Sequence, residues 1–282
     1  MKKILVPTDF SICVEKALHY AIQIAKKTGA EIFLLHACDL LHSAFADKAH
    51  LVNEYNNLKT TELNARIDNL KANIAEPGVK ITTQLYDSDA TESILFFAEQ
   101  HNVDLIVMGT LGATGLKTVL FGTNTATIIA ESTLPVIAIP FNYTWKKPEN
   151  FLIAISDAEQ DVKVFEPVFI LGQLFDAKIN LAVFSDEATR ADELLDHSRL
   201  ISKSKEQLNK SFPGSNIEIL HLSGKDFYGT LQQHIDKEKI DLLVMITHRK
   251  TFVQNLFGFS MTRQMAYHTS IPMLSLHSSH DD

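Results

Sequence analysis

Four glycines, Gly109, Gly112, Gly115 and Gly122, stand within one stretch of this 282-residue chain, DLIVMGTLGATGLKTVLFGTNTAT, from Asp104 to Thr127. The apolar run Leu105 to Met108 reads as a buried central strand, and TATIIAES reads as the start of a helix that Thr123 or Asn124 would cap. A glycine-punctuated loop that ends at a helix N-terminus suits an anion. Its free backbone N–H groups and the positive end of the helix dipole point to the same place. A phosphate-bearing ligand is the chemistry this predicts. The competing reading, that the glycines only make turns, stays open at this level.

Other chemistries find less support. There is no G-x4-G-K-S/T loop, no G-x-G-x-x-G after the first strand, and no G-x-S-x-G elbow. No acidic pair suits Mg²⁺, and no residue stands out to orient a nucleophile, so the expectation is no catalytic residues and at most weak hydrolysis. Twelve histidines are present. His221, His248 and His268 fall near strand ends or loops of the second half, but lack the spacing of a zinc set. His277 and His280 lie in the final residues. Cys13 and Cys38 form neither a disulfide framework nor a metal motif, and burial is the expectation for both.

The elements that must position the glycine loop alternate regularly. KKILVPTD is a strand broken at Pro7. Residues 11–28 form an amphipathic helix with Val14, Ala17, Leu18, Ala21 and Ala25 on one face, Ser11 able to cap it and Gly29 ending it. EIFLLHA is a second strand, residues 43–75 a long exposed helix, VKITTQLY a third strand and ATESILFFAEQH a helix. The strand–loop–helix of the glycine stretch comes next, and LPVIAIP closes the half. This order predicts a parallel α/β sheet with helices on both faces.

The pattern then starts again. Residues 142–150, NYTWKKPEN, are polar and read as a linker, giving domains at 1–141 and 151–282. DLLVMITHRKTFVQNLFGFSMTRQMAYHTSIPMLSLH aligns without gaps on the glycine stretch and its following strand, each residue 137 positions later: Asp104 with Asp241, Met108 with Met245, Pro135 with Pro272. This internal duplication predicts two tandem domains related by a pseudo-twofold, a pseudo-dimer within one chain and compatible with a further homodimer. The last strands, VIAIP and MLSLH, are apolar and would be sheet edges. They are expected to pair with each other across the two domains.

The spacing Gly109-x2-Gly112-x9-Gly122-Thr123 resembles the ATP-binding signature of the universal stress protein family, G-x2-G-x9-G-S/T, and Pro7-Thr8-Asp9 looks like that family's other nucleotide-contacting element. The resemblance covers the chain as a tandem arrangement. It implies two doubly wound domains, each a five-stranded parallel sheet with nucleotide at the carboxyl ends of the strands. It also implies ATP or a related adenine nucleotide, with or without Mg, as the ligand. Carried over residue by residue, Pro7, Thr8 and Asp9 would lie at the nucleoside end. The main chain of Ala37 would meet the adenine, Met108 and Gly109 would approach the ribose, and Gly112, Gly122, Thr123 and Asn124 would surround the phosphates. Lys117 could reach the outer phosphate, although a solvated loop lysine is the simpler reading.

The second half departs from the signature. Ile246, Arg249, Phe259 and Ser260 stand at the matching positions, Ile155 answers Pro7 and Asp157 answers Asp9. The glycines are gone and bulk replaces them, so no ATP site of this kind is expected there.

A formal net charge of −8 argues against a general nucleic-acid surface, and no apolar run approaches membrane-spanning length. The expectation is a cytoplasmic stress-response protein that binds an adenine nucleotide and signals to an unknown protein partner. A slow ATPase or nucleotide-transferring enzyme, and a structural or metal-binding protein, are the alternatives.

Overall fold

The structure, a computed structural model, describes residues 1–42, 49–74, 76–110, 122–155, 162–186, 203, 205–224, 226–247 and 270–277. The first half runs β1 (Lys3–Pro7), α1 (Ile12–Thr28), β2 (Glu31–Ala37), α2 (Ala49–Ile74), β3 (Ile81–Tyr86), α3 (Ala90–Gln100), β4 (Leu105–Gly109), α4 (Thr123–Glu131) and β5 (Val136–Ile139). The second begins with β6 (Asn150–Ile155), a 3-10 turn at Val162–Phe165, α5 (Glu166–Phe175) and β7 (Lys178–Asp186). Residues 205–211 are helical (α6). β8 (Ile217–Gly224), α7 (Phe227–Glu238), β9 (Leu242–Thr247) and β10 (Met273–His277) complete it.

Periodicity explains these elements. Cys13, Val14, Ala17, Leu18, Ala21, Ile24 and Ala25 bury one side of α1, and Gly29 stops it in the left-handed region at φ 71°. Ser11 holds the N-cap position, but its side chain does not cap the first turn. The expected first helix of the second half opens as a 3-10 turn, and α5 has Pro167 in its first turn, where a missing N–H costs nothing. Residues 142–149 are polar in sequence, yet they dock firmly. Tyr143 is buried, and Trp145 packs edge-on against Tyr20 at 5.0 Å and at a tilt against Phe175 at 6.0 Å, joining α1 to α5.

The strands form one continuous sheet in the order β3-β2-β1-β4-β5-β10-β9-β6-β7-β8. Each half is five parallel strands, and the halves meet through the antiparallel pair β5–β10, as the apolar edges required. The register there is Ala138↔Met273, Ile137↔Leu274 and Val136↔Ser275. A step of 137 converts the first of these pairs into the third and leaves the middle pair unchanged, so the pseudo-twofold passes between Ile137 and Leu274. That axis is perpendicular to the sheet. α1, α2 and α5 therefore share one face and α3, α4 and α7 the other, each over an apolar core that runs through both halves. The carboxyl ends of the two sets of strands open at opposite edges.

Repeated aspartates fix the start of each half. Asp104 Oδ2 accepts from the backbone N–H of Lys2 and Lys3 at 2.5 and 2.9 Å. Asp241 Oδ2 accepts from Glu149 and Asn150 at 2.8 and 3.0 Å, and Lys146 pairs with its other oxygen. These contacts align Asn150 with Lys3, as do the pairs Lys3↔Glu31 and Asn150↔Lys178. The sequence comparison was one residue out here: Ala154, not Ile155, occupies the place of Pro7. Asp157 lies outside the described residues.

Candidate functional site

Open α/β sheets bind ligands beyond the carboxyl ends of strands where the winding reverses. In the first half that point lies between β1 and β4. Alternation in β1 turns the backbone of Thr8 towards β2, where its N–H donates to Leu35 O at 2.7 Å, and so turns that of Pro7 towards β4. Proline has no N–H to donate. The β1–β4 ladder accordingly stops at Leu5↔Ile106, although β1 runs to Pro7 and β4 to Gly109. In the second half, with Ala154 at that place, β6–β9 stays paired through Ala154↔Met245.

Beyond Pro7 the chain is held tightly. Thr8 is buried, its hydroxyl accepts from Phe10 N at 3.1 Å, and its carbonyl accepts from His36 Nδ1 at 2.7 Å. The Asp9 carboxylate accepts from Ser11 N at 3.0 Å in a turn ahead of α1. The backbone of β2 alternates as well. Glu31 and Leu35 bond towards β1, whereas Ile32 and Cys38 bond towards β3. Ala37 shares the parity of Leu35, so its N–H and C=O face the side where β1 has already ended. A strand end of this kind turns one backbone donor and one acceptor towards the carboxyl edge.

Met108 and Gly109 divide between the two faces. The Met108 side chain is buried in the α3/α4 core, so only its main chain reaches the edge. At Gly109 a Cβ would lie 2.5 Å from Cys13 Cβ, so the missing side chain is what lets the first turn of α1 approach β4. This gives Gly109 a packing reason that the turn-or-ligand alternatives did not include. Gly109 O accepts from the buried Thr125 hydroxyl at 2.9 Å, which pins the first turn of α4 to the end of β4.

The N-cap of α4 is Gly122, and Thr123 and Asn124 lie in the first turn instead of capping it. Gly122 N donates to Thr110 O at 2.5 Å, closing the base of the intervening loop. With glycine at the cap, no cap side chain takes up the N–H groups that open α4. Gly112, Gly115 and Lys117 lie outside the described residues, as do Arg249, Phe259 and Ser260 of the second half.

The structure thus brings Pro7, Thr8, Asp9, Ala37, Met108, Gly109, Gly122, Thr123 and Asn124 to one edge. Several neighbours were not anticipated. Cys13 is buried as expected, but its seat against Gly109, like the bond from Thr125 to Gly109 O, joins separate elements and has no local signature. Phe10, His36 and Arg66 form a cluster assembled from three separate elements. Burial chiefly, with Arg66 and Lys59 adding to it, holds His36 below its ordinary pKa, against the pull of the Thr8 carbonyl and Asp9. A carbonyl oxygen only accepts, so Nδ1 is the donor in the bond to Thr8 O. Among the described residues no three His, Cys, Asp or Glu side chains gather as metal donors, and no helix is long and apolar enough to cross a membrane.

Comparison with known proteins follows the same lines. Residues 1–140 match the model of the universal stress protein family. Universal stress protein MJ0577 of Methanocaldococcus jannaschii is 33% identical over 152 residues, spanning 49% of this chain and 94% of that protein. Universal stress protein MJ0531 of the same organism is 34% identical over 154 residues, 53% of this chain and 84% of its own. A solved universal stress protein structure from Archaeoglobus fulgidus superimposes on 97% of both chains with a TM-score of 0.68 at 17% identity, which shows a common tandem fold.

Proposed function

The chain belongs to the universal stress protein family, and from that premise we propose that its first half binds ATP or a related adenine nucleotide at the carboxyl edge of β1, β2 and β4. The observation that carries this reading is the end of the β1–β4 ladder at Pro7, beside a helix whose N-cap is a glycine. The Ala37 main chain reads the base edge and Asp9 lies at the nucleoside. Met108 and Gly109 border the ribose. Gly112, Thr123 and Asn124 supply backbone and hydroxyl donors to the phosphates, each charge-assisted bond contributing about 1.5–3 kcal/mol, and Gly122, whose own N–H is bonded to Thr110 O, borders them as a cap without a side chain. Mg²⁺, if it accompanies the nucleotide, is held chiefly by the phosphates.

The output is regulatory: a stress-response module whose nucleotide state is read by a protein partner. The second half is the structural counterpart and does not bind nucleotide in this way. Isothermal calorimetry with ATP on the wild-type chain and on Gly122→Val tests the reading. Saturable heat from the wild type that the variant loses supports it; a wild type that gives none refutes it.

A further inference from the structure

Phe10 carries a backbone φ of 62°, in the left-handed region that a bulky side chain seldom occupies. It is the residue between Asp9 and Ser11, where the chain leaves β1 for α1, and its conformation sets the turn in which Ser11 N bonds Asp9. Such a conformation is strained and persists only where the surroundings hold it. Here the ring supplies the hold. The His36 imidazole lies 4.6 Å from its centroid, tilted by 48°, and the Arg66 guanidinium of α2 sits 4.2 Å from it. His36 is tied in turn to Thr8 O, so three segments converge on one ring: the β1–α1 turn, the end of β2 and the middle of α2. A cation over an aromatic face is attracted by the negative face of the ring, and with the ring–ring contact this opposes the backbone strain.

We propose that Phe10, clamped between His36 and Arg66, is a positioning residue that holds Asp9 at the nucleoside end of the nucleotide site. This rests on the nucleotide reading above and adds the device that fixes one end of that site. The clamp is on the α1/α2 face, whereas α4, whose first turn is the described phosphate-side element, belongs to the other. Loosening the clamp therefore weakens recognition of the nucleoside and leaves the phosphate end unchanged.

The test measures the affinity of the full chain for ATP and, by displacement of a fluorescent ATP analogue, for inorganic tripolyphosphate. Phe10→Ala is expected to weaken ATP about tenfold while tripolyphosphate is unchanged, and Phe10→Tyr to keep the wild-type values. Arg66→Ala, on an exposed position that tolerates truncation, is expected to weaken ATP about threefold, and to have no further effect once Phe10 is Ala. Equal weakening of both ligands, unchanged ATP affinity in Arg66→Ala, or additive effects in the double variant would overturn the proposal. Absence of ATP binding by the wild type would instead defeat the reading beneath it. If Phe10→Ala does not fold, the Arg66→Ala selectivity decides the matter.

Discussion

β1–β4 and β6–β9 are the same pair of strands built twice, and they end differently. The first ladder stops at Leu5↔Ile106, and the second continues to Ala154↔Met245. The sheet beneath is shared: the aspartate at the foot of β4 and β9, the strand order and the antiparallel seam. What differs gathers at the carboxyl edge, where the first half has Pro7 and Gly109 and the second has Ala154 and Ile246. Among the described residues, features that build the sheet are thus kept in both halves, and the two that open its edge, Pro7 and Gly109, are found in the first. Gly109 qualifies this division, since it serves packing: it lets Cys13 sit where a Cβ would otherwise be.

The seam is the part of the comparison most easily broken. Ile137 is fully buried on the pseudo-twofold opposite Leu274, so Ile137→Lys places a charge where neither half can solvate it. A loss of about 3–5 kcal/mol is expected, read as a large drop in the thermal midpoint or as a more extended chain by small-angle scattering. Unchanged unfolding and compactness would contradict the fused sheet. Gly109→Ala comes next. Its Cβ would meet Cys13 Cβ at 2.5 Å, so about 1–2 kcal/mol is expected to be lost in urea unfolding, whereas the second half accepts an isoleucine at the counterpart.

Pro7→Ala makes the first half resemble the second. The substituted residue gains an amide aimed at β4, the ladder is expected to lengthen, and that amide should exchange slowly with solvent. ATP affinity should fall about tenfold, or about 1.4 kcal/mol. Fast exchange at this amide with native affinity would show that the proline does not govern the ladder. The smallest effect is on pH dependence. The folded pKa of His36 is depressed below its ordinary 6.5, so between the two values the unfolded chain binds more protons than the folded one. Its contribution to stability is fully present above pH 6.5 and is lost as pH falls through the folded value. Urea midpoints measured from pH 7.5 downward should decline across that window, and less steeply in His36→Gln.

The sequence already carried most of the architecture, for identifiable reasons. EIFLLHA matches β2 to the residue, because a mostly apolar run between turn formers leaves little freedom of register. The gapless repeat set the duplication, and the apolar character of VIAIP and MLSLH called for the seam. The one-residue error at Ala154 arose where FLIAIS and KILVPT share hydrophobicity but no anchoring residue. Hydrogen bonds from the aspartates, which join residues about a hundred apart, settled it. Thr123 and Asn124 were expected as caps by residue type, yet Gly122 takes that place because the bond to Thr110 O fixes where the loop ends. The Phe10–His36–Arg66 cluster was illegible for a simpler reason: nothing local in the sequence links a turn, a strand end and an exposed helix.

The most direct test of the difference between the halves is the stoichiometry of ATP binding, obtained by calorimetric titration of the intact chain. One ATP per chain, abolished by Gly122→Val, is the result expected from a site confined to the first half. Two sites per chain, or none, would contradict it.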